Sequence, residues 1–209
     1  MSTAKAKETT KQVVTLDSYR ASVDAAFEAR AAYEKTQVSD ADILANKLAK
    51  LKAYRANIAH DTILGVCMKS HIDFNFINEA TRKDARCDIY RIERVTMLAR
   101  SIAKTDSLHH YMRAILLSAK AFHTANAEMT IDEVKSACSL DAHSKDAAKE
   151  KLVVKYQKHV ALSTVQAQHA SSVFALVKFG VLKESTNASR KDVYTYQDNA
   201  TSKVLLASL

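Results

Sequence analysis

Apolar residues recur at spacings of three and four through most of the first 160 positions, and at a spacing of two only near the end. The first rhythm turns one side of a helix toward a core; the second turns one face of a strand there. It predicts helices at about Asp17 to Thr36, Asp40 to Met68, Ile72 to Glu79, Thr81 to Lys104 and Ser107 to Ala125. Side chains able to accept from free backbone N–H groups stand at the starts: Asp17 or Ser18, Ser39 with Asp42, Thr81 with Asp84, and Asp106 or Ser107. Val23, Phe27, Ala31, Ile43, Leu44, Leu48, Leu51 and Tyr54 predict that the first two helices pack as a hairpin around Gln37 to Asp40. In the apolar run Ile63 to Ile77, Phe74, Phe76 and Ile77 are expected in the core, and Gly65 is expected to let helices approach closely.

The pattern changes between Ser163 and Gln197. Val165, His169, Val173 or Ser172, Leu176 and Val177 form an apolar helical face, which leaves Gln166, Gln168, Ser171 and Lys178 outward. Ser163 with Gln166 is a capping-box pair for its start, and Gly180, lacking Cβ, is suited to the left-handed stop. Beyond it, Val181 to Thr186 and Asp192 to Gln197 are rich in β-branched and aromatic residues and predict a hairpin joined by the polar stretch 187–191. Upstream, Met129-Thr130-Ile131-Asp132-Glu133-Val134 predicts a short strand and then a helix capped by Thr130 with Glu133. Between the two, Lys145 to Val160 predicts another helix, with Ala148, Leu152, Val153, Tyr156 and Val160 on one side.

The stretch Leu176-Val177-Lys178-Phe179-Gly180-Val181-Leu182, running from a helix into a hairpin with a basic tip, resembles the winged helix-turn-helix nucleic-acid-binding family. There a recognition helix leads through such a stretch into a β-hairpin wing. The likeness covers roughly the last 100 residues and lies in pattern. It implies a mainly α fold, with a helical N-terminal region and a winged-helix-like C-terminal region carrying a small β-hairpin. The expected divisions are a flexible basic tail 1–12, a helical region 13–105, a winged-helix-like domain 106–199 with an inserted helix, and a C-terminal tail 200–209. The family joins its second and recognition helices by a short turn. Here Ser139 to Leu162 intervene, which alters the surface that meets a ligand.

Zero prolines and two glycines in 209 residues force few breaks and favour long helices. The composition also resembles that of small proteins encoded by large bacteriophages. The net charge is +8, and residues 145–209 hold ten Lys/Arg against five Asp/Glu (+5), while residues 1–144 hold 21 against 18 (+3). Such a concentration favours a polyanion as partner. Lys155, Lys158, Lys178, Lys183, Arg190 and Lys191 are the expected phosphate contacts, with Gln166, Gln168 and Ser171 placed to meet bases or sugars. Tyr194, on one strand face with Tyr196, either stacks on an unpaired base or packs into the core. Arg82, Arg86, Arg91 and Arg94 form a second basic patch, which reads equally as a solvated face neutralised by Asp84, Asp88 and Glu93.

Catalytic signatures are missing: there is no Gly-rich phosphate loop, nucleophile elbow, H-E-x-x-H or C-x-x-C. Adjacent His109 and His110 diverge on a helix and make a poor metal pair. The expectation is a non-enzymatic nucleic-acid-binding protein, DNA or RNA, with no cofactor and no metal. Its alternative is a helical adaptor whose winged-helix-like domain binds protein, with protein or self-association through the N-terminal helices. No run approaches the roughly 20 apolar residues of a membrane span, and Met1 to Gln12 lacks the apolar core of a signal peptide. With Cys67, Cys87 and Cys138 odd in number and far apart, a reducing cytoplasmic setting is expected.

Overall fold

The computed structural model describes residues 14–79 and 87–209. The expected tail 1–12, the Thr81–Asp84 cap, and Arg82 and Arg86 lie outside the described residues. The chain is mainly helical, with one small antiparallel sheet.

Helix α1 (Leu16–Gln37) starts one residue before the expected cap. Thr15 Oγ1 accepts from the Ser18 amide and Ser18 Oγ accepts from the Thr15 amide, a reciprocal capping box. Helix α2 (Ala41–Ile58) is capped by Asp40, not Ser39. The single helix expected to Met68 breaks at Ala59 and His60, and α3 (Asp61–Lys69) turns away. Arg20 of α1 fixes the break by donating to the Ala59 carbonyl and the Asp61 carboxylate, both at 2.5 Å. The turn carries Ile63, Leu64 and Cys67 into the core. Gly65 does not serve a close approach, because a Cβ there would meet no atom within 4 Å. Phe74–Asn78 forms a 3-10 turn that buries Phe74, Phe76 and Ile77 as the apolar run requires.

Helix α4 (Ile89–Ile102) begins at Asp88, whose carboxylate accepts from the Tyr90 amide. Helix α5 (His110–Thr124) begins later than Asp106 or Ser107 allows: the acceptor is His109 Nδ1, 3.3 Å from the Tyr111 amide. After α5 come β1 (Met129–Thr130), α6 (Ile131–Ala137), α7 (Ala147–Glu150), α8 (Leu162–Lys178), β2 (Leu182–Thr186), β3 (Asp192–Tyr196) and α9 (Ala200–Ala207). The Thr130–Glu133 capping box forms as expected. The Ser163–Gln166 box does not: Ala161 takes the cap position and leaves Ser163 inside the first turn. Gly180 ends α8 with φ +65°, the left-handed region where a Cβ is disfavoured.

The strand order is β1-β3-β2, with Met129 opposite Tyr194, Lys183 opposite Thr195 and Ser185 opposite Val193. Leu182, Tyr194 and Tyr196 fall on the face toward the core; Lys183, Ser185 and Thr195 fall on the other face and are exposed.

The helix predicted over Lys145 to Val160 shrinks to the single turn α7. Beyond it, alternate backbone groups find partners elsewhere and hold the chain extended. Val154 N–H donates to Ser118 Oγ (2.9 Å), Tyr156 N–H donates to the Ala137 carbonyl (2.8 Å), the Lys158 carbonyl accepts from Leu140 N–H (3.0 Å), and Val160 N–H donates to Ser139 Oγ (2.9 Å). These tertiary bonds win over a local pattern that suits a helix. The expected tail 200–209 is a second correction: α9 is capped by Asn199, buries Leu205 and packs on α4.

One apolar cluster runs through the described residues. Its broadest helix pair is α4 on α8, and the Phe76–Phe174 ring contact at 5.3 Å ties the 3-10 turn to α8. Cys67, Cys87 and Cys138 are buried and unpaired, with burial pushing their thiols up to about 11 or 12, where they are inert. No described helix is long and apolar enough to cross a membrane.

Candidate nucleic-acid interface

The hairpin displays its three predicted cations. Lys183, Arg190 and Lys191 are exposed, and none forms an ion pair among the described residues. Asn187 closes the tip: its Oδ1 accepts from the Ser189 amide (3.0 Å) and the Lys191 amide (3.1 Å), with Arg190 at φ +57°. Beside the tip, Lys191 shares a polar cleft of about 180 Å3 with Lys145 and Lys149. Carboxylates line the same cleft, so it is mixed in sign: Asp132 lies 3.9 Å from Lys145, Asp146 caps α7, and Glu133 accepts from Thr130 N–H and Oγ1 at 2.7 Å and from the Ser144 hydroxyl.

The predicted reading face of α8 is mostly covered. Gln166 is exposed, but Ser171 is 3 % exposed and donates to the Gln168 carbonyl at 2.9 Å. The Gln168 side chain is half-buried, its Oε1 accepting from Arg94 Nη2 at 2.8 Å. The cause is α4, which lies across α8. What stays exposed on α8 is its uncharged first half: Leu162, Ser163, Thr164, Gln166, Ala167 and Ala170.

Of the second patch, Arg94 is 6 % exposed and cannot meet a phosphate. Among the described residues its Nε has no hydrogen-bond partner, Nη1 points at Met97 Sδ (3.1 Å), and Glu93 is 4.0 Å away; burial lowers its pKa. Arg91 is half-buried with its guanidinium 4.8 Å from the Phe174 ring centre, and Lys178 Nζ lies 5.5 Å from the same centre and 5.2 Å from Phe76. The two patches therefore meet at Phe174. Tyr194 is 6 % exposed and packs into the core, where burial, then Glu184 and Asp192, raise its hydroxyl pKa; it is no stacking platform.

Lys155 is turned inward. Its Nζ donates to the Ala142 carbonyl (2.6 Å) and to Glu150 (2.7 Å), with His143 Nδ1 at 3.1 Å. Burial alone would raise the Glu150 carboxyl, but Lys155, the Ser144 amide, Ser136 and His143 outweigh it and hold it at about 2. Lys158, three residues on, is exposed and unpaired among the described residues.

Arg113 is the cation that the sequence reading missed. It stands on the rim of a groove of about 460 Å3 between α5 and the extended segment 154–158, opposite Lys158. The floor holds Ala114, Leu117 and Val154. At one end His110 stacks on Tyr156, ring centres 4.2 Å apart and planes 20° apart. Burial, then Arg94 and Lys158, lowers the pKa of His110; burial, then Arg94 and His110, brings His109 down to about 3. An available signal was the outward spacing of Arg113, Leu117 and Lys120 on α5. The other wall was hidden in a segment whose rhythm predicts a helix.

Comparison with known protein families, curated proteins and solved structures finds no match for this chain. Among the described residues, no group of three or more His, Cys, Asp or Glu side chains is placed to hold a metal ion.

Proposed function

We propose that this chain is a non-enzymatic, cytoplasmic nucleic-acid-binding protein that uses the basic hairpin β2–β3 as its principal phosphate contact. The observation that carries this reading is the set of three exposed cations, Lys183, Arg190 and Lys191, on one small hairpin without carboxylate partners among the described residues. The order α5, β1, α6, α8, β2, β3, interrupted by α7 between α6 and α8, with the sheet order β1-β3-β2, supports the winged-helix comparison. Binding is reversible and mainly electrostatic: lysines and arginine displace condensed counterions, and the polar, uncharged half of α8 adds hydrogen bonds through Thr164 and Gln166.

The test is a fluorescence-anisotropy titration of duplex DNA, single-stranded DNA and RNA between 50 and 200 mM salt, with wild type and the triple variant Lys183→Glu/Arg190→Glu/Lys191→Glu. Each lost phosphate contact lowers the log–log salt slope by about 0.9 on duplex DNA, so the triple variant should lose about 2 to 3. Absence of binding to all three polymers at 50 mM salt refutes the proposal. A protein-binding reading then takes over, and the exposed apolar side chain of Ile43 on α2, 54 % exposed, favours it.

A further inference from the structure

The groove beside α5 combines a cationic rim, which any phosphate-binding surface uses, with an apolar floor, which a duplex-binding surface does not need. Its floor is apolar, with Val154 39 % exposed and Leu117 half-buried, and its rim carries exposed Arg113 and Lys158, of which Lys158 forms no ion pair among the described residues. No Asp or Glu side chain lines it, and Lys155 of its wall is paired with Glu150 at 2.7 Å. Arg113 also donates to the main-chain oxygen of Leu209 at 3.2 Å. At about 460 Å3 the space lies within the range of roughly 300–1,000 Å3 that holds a small organic group. Its aromatic end is the His110–Tyr156 stack, where burial, then Arg94 and Lys158, lowers the imidazole pKa.

A duplex hides its base faces and offers only phosphates to such a rim. An unpaired nucleotide offers both a base for the apolar floor and a phosphate for the cations. We propose that this groove seats an unpaired nucleotide of single-stranded nucleic acid, the base lying against Leu117 and Val154 and its phosphate reaching Arg113 and Lys158. The inference rests on the nucleic-acid-binding reading and adds strand selectivity to it. Its position is set by Ser118, whose hydroxyl bonds both the N–H (2.9 Å) and the carbonyl (3.2 Å) of Val154, so the floor is built into the fold.

Affinity for a labelled oligo(dT), an oligo(U) and a duplex of equal length should be measured with wild type, Arg113→Gln/Lys158→Gln, and Val154→Ser. The double variant should bind the single strands about tenfold more weakly with the duplex changed less than threefold, and Val154→Ser should weaken single-strand binding without altering its salt slope. Urea midpoints of the variants identify any that are unfolded, and Val154→Ser, at a half-open surface position, supplies an independent readout should the double variant fail to fold. If wild type binds polymers and the groove variants bind like wild type, or lose duplex and single strand equally, the groove assignment is wrong while the hairpin reading stands. If no polymer binds at all, both fail together.

Discussion

His109 serves α5 in a way that acid should undo. Its Nδ1 accepts from the Tyr111 amide, which requires the ring to be neutral, and burial together with Arg94 and His110 holds its pKa at about 3 against an ordinary 6.5. In the unfolded chain the ring takes up a proton near pH 6.5; in the folded chain it stays unprotonated until about pH 3. The unfolded state therefore binds more protons across that window, and stability falls as pH drops from 6.5 toward 3. Each pH unit amounts to about 1.4 kcal/mol, about 3 kcal/mol by pH 4, and partial solvent contact of the ring reduces this to about 2 kcal/mol. His109→Asn separates the two roles of the residue, since asparagine caps helices well and does not titrate. At pH 7.5 the variant should lie within about 1 kcal/mol of wild type. By pH 4 it should be more stable by about 2 kcal/mol. Urea unfolding followed by circular dichroism at half-unit pH steps measures both. Parallel pH–stability curves for wild type and variant would refute a neutral, buried cap.

Gly65→Ala should stabilise the protein by about 0.5–1 kcal/mol, because α3 has open space where the Cβ would go; a melting temperature raised by about 1–4 °C checks it, and a lowered one contradicts it. Ser118→Ala orphans the Val154 N–H and should lower stability by about 1–3 kcal/mol in urea, with single-strand affinity falling alongside. Lys155→Gln should cost about 1–2 kcal/mol through the lost bonds to Ala142 and Glu150, yet change polymer affinity less than threefold, in contrast to Lys191→Gln.

Local rules accounted for much of the architecture. Periodicity located α1, α4, α5 and α8, the Thr130–Glu133 box opened α6, and a residue free to adopt positive φ marked the passage from α8 into the hairpin. Each of these depends on residues within a turn or two of one another. The misreadings arise where distant groups intervene. Ser118, Ala137, Ser139 and Leu140 draw out the segment after α7, and Arg20 bends the chain between α2 and α3. Of the proposed contacts, the three hairpin cations Lys183, Arg190 and Lys191 stay on the surface, while Tyr194 on the same hairpin turns into the core. Gln168, Ser171 and Arg94 do not stay exposed, because helical spacing says which residues share a side but not which neighbour will cover it. The amphipathic pattern of α4 also left room for Arg94 on the solvated side, whereas α8 buries that flank.

The crossing of α4 over α8 fuses the two halves of the chain. A fragment starting at α5 would carry bare oily flank where α4 should sit, and a fragment ending at α4 would carry the matching one. Neither is suited to life as a separate module, so this protein should melt in a single step, and trimming it down to the basic hairpin and its supporting helices should yield aggregates instead of a minimal binder.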